Sequence, residues 1–66
     1  MADPDDEAYR LIEAGDPEAA LRLIEPIAQA PAAGHAELAA YAATLRALGR
    51  AEKAVPLYRR ALEVAP

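Results

Sequence analysis

The chain has 66 residues, a formal net charge of −4 and a hydrophobic fraction of 55%, which bounds it to one small domain. Nineteen of its residues are alanine, and Leu, Ile and Val together number thirteen, close to the level at which a sequence stops burying enough surface to fold. It has no cysteine, which excludes a disulfide scaffold and a zinc finger, and a pI near 4.8 argues against nucleic acid, whose phosphate backbone needs a basic stripe.

The acidic start Met1-Ala2-Asp3-Pro4-Asp5-Asp6-Glu7 is the opposite of a basic, apolar signal peptide, and the apolar runs fall far short of the roughly 20 residues that cross a bilayer. These features point to a cytoplasmic protein with no membrane partner. Ala, Leu, Glu and Arg, all strong helix formers, dominate the composition, and no window alternates with the period of a strand. The expected class is all-α.

In chain order, Asp3 before Pro4 reads as a helix N-cap with a first-turn proline, and Asp5, Asp6 and Glu7 face the positive end of the helix. Gly15 is a natural stop, and Asp16-Pro17-Glu18 repeats the start signal directly after it. Gly34 opens a third helix, expected over His35 to Leu48, and Gly49 closes it. A fourth is expected from about Arg50 to Ala65, ending at Pro66. Pro26 and Pro56 stand inside helices, where a proline loses a backbone hydrogen bond. Each is expected to bend its helix, and Pro26 alternatively ends the second one early, leaving a loose Ile27 to Gly34 connection.

Displacing the chain by 34 residues sets Ala8 over Ala42, Leu11 over Leu45, Gly15 over Gly49, Glu18 over Glu52, Ala20 over Ala54 and Leu23 over Leu57. Leu21 over Val55 and Ile24 over Tyr58 are similar pairs. The second helix of each half carries one apolar stripe, Ala20, Leu23, Ile24, Ile27 and Ala28, then Ala54, Leu57, Tyr58, Ala61 and Leu62. Leu38, Tyr41, Leu45 and Leu48 form the facing stripe of the third helix, expected to meet Leu57, Tyr58 and Leu62. The alanines Ala8, Ala20, Ala42, Ala54 and Ala61 fall where helices cross, and a methyl group allows close approach of the axes.

In this spacing the chain resembles the tetratricopeptide repeat, a 34-residue helix–turn–helix unit. Leu38, Tyr41, Ala42, Leu45, Gly49, Ala54, Tyr58, Ala61 and Pro66 match its pattern in the second unit, residues 35–66. The first unit, residues 1–34, is degenerate: Pro4 and Glu7 stand where large apolar residues belong, and Pro31 comes one residue early. The resemblance implies a single domain of two antiparallel hairpins stacked as a short right-handed solenoid. It also implies a groove on the first helices, with Asp5, Tyr9, Ile12 and Glu13 from the first unit and Ala36, Ala39, Ala43, Arg46 and Ala47 from the second. Those alanines suit a close-packed helix or an extended apolar peptide, or form a plain solvated face.

No nucleotide loop, zinc-protease or redox motif occurs, and His35 is expected to be an exposed side chain at a helix start. Asp3, Asp5, Asp6 and Glu7 read as helix-end complements rather than a cation site, and Arg59-Arg60 as a solvated pair. No catalytic, metal or cofactor site is expected, and no cavity, so the chain is read as a protein-binding or scaffolding module rather than an enzyme. Residues 1–33 hold eight acids and two bases, a balance of −6, and residues 34–66 hold three acids and five bases, a balance of +2. Opposite-sign ends favour head-to-tail contact. Val55, Leu62 and Val64 form a bare face on the last helix, expected to be covered in one of two ways. Either, as the resemblance implies, a further repeat follows in a longer bacterial protein, with an enzyme domain downstream as one alternative, or a second copy makes a homo-oligomer. Because Asp5, Tyr9, Ala39 and Ala43 stand where peptide-clamping members of the resembled family carry Lys and Asn, titration with acidic C-terminal peptides is expected to give no micromolar binding.

Overall fold

In a computed structural model of the chain, residues 3–65 are described. They form four α-helices and no strand: α1 (Pro4–Glu13), α2 (Pro17–Ala28), α3 (His35–Ala47) and α4 (Ala51–Glu63). Met1, Ala2 and the repeat-closing Pro66 lie outside the described residues.

The helix ends follow the local chemistry of the sequence. Asp3 is the N-cap of α1 in extended backbone, although its side chain makes no capping bond. The Asp16 carboxylate does cap α2, accepting from the Ala19 N–H at 3.2 Å. At α3 the Gly34 N–H donates to Oε1 of Glu37 at 2.8 Å, the half of a capping box that a glycine N-cap retains. Gly15 and Gly49 take φ of 84° and 79°. Around them, Asp16 N–H donates to the Leu11 carbonyl at 2.8 Å and Gly15 N–H to that of Ile12 at 3.0 Å; Arg50 to Leu45 and Gly49 to Arg46 repeat both bonds at 2.8 and 3.0 Å. This is a Schellman motif written twice, 34 residues apart.

The structure shortens three expected elements or connections. The turn at Gly49 makes Leu48 the C-cap, so α3 ends at Ala47. Helix α4 spans Ala51–Glu63, with Arg50 and Val64 as its caps. Helix α2 does not stop at Pro26 but runs to Ala28, and the connection after it carries turn bonds from Ala30 N–H to the Ile27 carbonyl at 3.3 Å and from Ala33 N–H to that of Ala30 at 3.0 Å. Pro26 and Pro56 are both exposed, as are Arg22 and Glu52 one turn earlier, so the carbonyls that the prolines leave without a donor belong to exposed residues.

Packing centres on α3, which contacts α1, α2 and α4, whereas α4 contacts α3 alone among the helices. Ala8, Ala20, Ala42, Ala54 and Ala61, the expected crossing residues, are all buried, together with Ile24, Ala28, Leu38, Tyr41 and Leu45. In α2 the buried line is Ala20, Ile24 and Ala28, with Leu23 and Ile27 half-buried. Two residues that the apolar stripe omits, Ala40 and Thr44, are also fully buried. Their burial is compatible because the Thr44 hydroxyl donates to the Ala40 carbonyl at 2.8 Å, which satisfies the one polar side chain in the core. The described residues span 31 × 29 × 17 Å, about two helices thick.

One placement adds to the sequence reading and one corrects it. His35 is an exposed residue, yet its Nδ1 lies 2.8 Å from the Ala61 carbonyl. The last turn of α4 leaves that carbonyl without an intrahelical donor, since Ala65 N–H goes to Leu62, and the imidazole ties the start of α3 to the end of α4. Leu62 does not meet α3: it is 73% exposed, because Leu57, Tyr58 and Ala61 occupy the side of α4 that packs inward. Of the two faces assigned to Leu62, the outer one is correct.

A Cβ at Gly49 would meet no atom within 4 Å, so Gly49→Ala tests backbone conformation without steric conflict. It is expected to lower stability by about 1 kcal/mol, with Gly49→Asn milder; equal urea midpoints for all three chains would contradict the role of the left-handed turn.

Candidate binding surfaces

Three surfaces emerge from this packing. The first is the expected groove. Asp5, Ile12, Ala39 and Ala43 are half-buried, while Tyr9, Glu13, Ala36, Arg46 and Ala47 are exposed. They stand on α1 and α3, which pack on each other. Ala39 and Ala43 thus form a partly covered floor, and Ala36, Arg46 and Ala47 its solvent-facing margin. Burial of part of its ring pushes the Tyr9 phenol above its ordinary value of 10.0, with Tyr58 and Asp5 adding to the rise. Tyr58 of α4 therefore shares the electrostatic surroundings of this surface, a member that the repeat spacing, which assigns Tyr58 to the hairpin core, did not suggest.

The second is the outer face of α4. Val55 is 55% exposed and Val64 45%, beside Leu62. Two of these positions are covered 34 residues earlier, in α2: Ala28, the counterpart of Leu62, is buried, and Leu21, the counterpart of Val55, packs in part against the core, whereas Ala30, the counterpart of Val64, is exposed. In α2 this face lies in one cluster with Tyr41 and Leu45 of α3. Helix α4 thus repeats a helix-packing face and carries no helix on it.

The third surface was not expected, since a chain this small was read as having no cavity. Because α2 and α4 do not contact each other, a cleft of about 380 Å3 opens between them, floored by Tyr41 and Leu45 of α3. Glu25, Ala28 and Gln29 form one wall; Lys53, Pro56, Leu57 and Arg60 form the other, with Arg50 at its end. At the floor the Tyr41 hydroxyl donates to Oε2 of Glu25 at 3.0 Å. The cleft sets three cations and one engaged carboxylate around apolar walls, a setting suited to a negatively charged group. Its signal in the sequence is the spacing of Arg50, Lys53, Leu57 and Arg60, which recur on one side of a helix; Arg60 is a cleft residue and not only a solvated one.

Burial, then the bond to the Glu25 carboxylate and its charge, raises Tyr41 above its ordinary 10.0, while Gln29 and Arg50 pull the other way. Buried side-chain polar atoms without a partner are absent among the described residues. No group of three or more His, Cys, Asp or Glu side chains able to hold a metal occurs among them. None of their helices is long and apolar enough to cross a membrane.

Removing the phenolic bond by Tyr41→Phe is expected to cost about 0.5–1.5 kcal/mol, at the low end because Glu25 remains within reach of water. Since both phenols hold their protons more tightly folded than unfolded, their contribution is constant below pH 10 and falls as pH rises above it. Urea midpoints measured across that alkaline range check both statements, and a midpoint rising with pH there would contradict them. In comparisons with family models, curated proteins and solved structures, no match to this chain is found.

Proposed function

We infer that this chain is a non-catalytic protein-interaction module of the cytoplasm, built as two stacked helical hairpins of the tetratricopeptide type, whose main contact surface is the outer face of α4. The observation that carries this reading is the contrast between two equivalent faces. On α2, Glu25 is bonded by Tyr41 of α3 and Ala28 is buried; on α4, their counterparts Arg59 and Leu62 stand in the same register and are exposed, Leu62 to 73%. Exposed apolar side chains are common singly, but Val55 and Leu62, two turns apart on one side of α4 and flanking the exposed Arg59, support an interaction site. The natural occupant of such a face is another helix, laid down by its i, i+3, i+4 anchors.

Support for the tetratricopeptide character comes from the doubled Schellman turns and from the buried alanines recurring at Ala8 and Ala42, and at Ala20 and Ala54. The groove residues Tyr9, Ala39, Ala43 and Arg46 provide a second, shallower surface on the same module.

The reading is tested by titrating the isotope-labelled chain with a synthetic peptide of residues 34–49, the segment that covers α2 in the fold. The expected result is a set of NMR shifts concentrated at Val55, Arg59 and Leu62 and lost in Leu62→Asp, with an affinity on the order of 0.1–1 mM for so short a helix. Shifts confined to the α1 and α3 groove, or none at all, would refute α4 as the contact face.

A further inference from the structure

The 34-residue register fixes charge as well as shape. Where α3 lies on α2, the Tyr41 hydroxyl donates to the Glu25 carboxylate. One repeat later Glu25 becomes Arg59, an exposed side chain with no ion-pair partner among the described residues. A helix laid on α4 as α3 lies on α2 sets its Tyr41-equivalent side chain against a guanidinium, and the group that matches a guanidinium is a carboxylate.

One repeat earlier than Tyr41 the chain itself has that carboxylate, Glu7 on α1. Glu7 is half-exposed, and its own ion pair is a long contact of 3.9 Å to Arg10 in the next turn, worth little in water. The neighbouring positions agree in size. Leu11 stands where α3 has Leu45; it packs in part against this chain's own core and is only half-buried, so that part of its side chain stays accessible. Pro4 and Ala14 stand where α3 has Leu38 and Leu48, and both are exposed. The smaller side chains on α1 leave room for Leu62, which replaces the smaller Ala28 on the opposing face. The sign of the charge along the chain supports the same pairing, since the first half carries −6 and the second +2.

We propose that the α4 face binds a second copy of this chain through its α1, with Glu7 of one copy paired to Arg59 of the other and Leu11 packed between Val55 and Leu62. The proposal rests on the reading of α4 as a docking face and names its occupant. Because α1 and α4 are different surfaces, the contact is heterologous. Copies add head to tail and do not close into a symmetric pair.

Sedimentation of the full chain over a concentration series up to about 1 mM tests it, because contacts of this size lie in that affinity range. The weight-average mass is expected to rise past twice the monomer, and to rise less at high salt. Arg59→Glu and Glu7→Arg, each alone, are expected to weaken association by about tenfold or more, since each sets like charges together. The double variant, with the charges exchanged, is expected to recover most of the loss, and circular dichroism checks that all variants keep the native helix content. Association unchanged in Arg59→Glu, a mass that levels at two copies, or a double variant no better than either single one would overturn the proposal. If the native chain stays monomeric while the residues 34–49 peptide still binds at Leu62, the second copy is wrong and the docking face stands; if the peptide fails as well, both fall.

Discussion

The structure depends on how closely helices can approach α3. That helix is contacted by α1, α2 and α4, and three neighbours at the 8–10 Å separations of packed helices leave little width for side chains. The chain meets this limit by placing Ala40 and Ala42 between the larger Leu38, Tyr41 and Leu45, and by turning its one buried hydroxyl, Thr44, back onto its own backbone. Facing alanines do the same on the partners: Ala8 on α1, Ala20 on α2, Ala54 and Ala61 on α4. The high alanine content is thus a consequence of geometry. Close approach compensates with dispersion contacts and backbone proximity for the shortage of large apolar residues.

The same limit explains which features were legible in the sequence. Helix ends are local events, and Asp16, Gly15 and Gly49 announce them through chemistry that acts within a few residues, so the boundaries fall within about two positions of expectation. The 34-residue recurrence of Leu, Gly and Ala is legible in the sequence, and the turns at Gly15 and Gly49 follow the same spacing. The burial of Ala40 and Thr44 was not legible, because α3 is covered on several sides and an alanine-rich helix offers no polar side to contrast with an apolar one. The His35 tie to Ala61 joins residues 26 apart and depends on a carbonyl left over at a helix end, which no spacing rule reports.

The surfaces divide in a similar way. The bare face of α4 was legible as surplus apolar residues, although Leu62 fitted two stripes and only packing could choose between them. Ala36, Ala39 and Ala43 were placed on one face of α3, but the contribution of Tyr58 to the surroundings of Tyr9 crosses between units and has no sequence signature. The cleft between α2 and α4 is a negative feature, a gap created because neither helix touches the other, and gaps are invisible to residue patterns. Even so, the walls that Arg50, Lys53 and Arg60 contribute follow a helical spacing that marks them as neighbours.

Helix α4 is anchored through one neighbour, where α3 has three, and its far end is tied back by the His35 imidazole. The same helix carries the exposed apolar side chains of Val55 and Leu62. Local unfolding free energies follow such differences in contact, with the least supported element opening first. Occupation of α4 therefore acts on order as well as on contact area: whatever covers Val55 and Leu62 supplies the second neighbour that α4 lacks, and amide protection along Ala51–Glu63 becomes a measure of occupancy. On the proposed reading, the docking face lies on the one helix that has a single neighbour, so that recognition would be coupled to the order of α4.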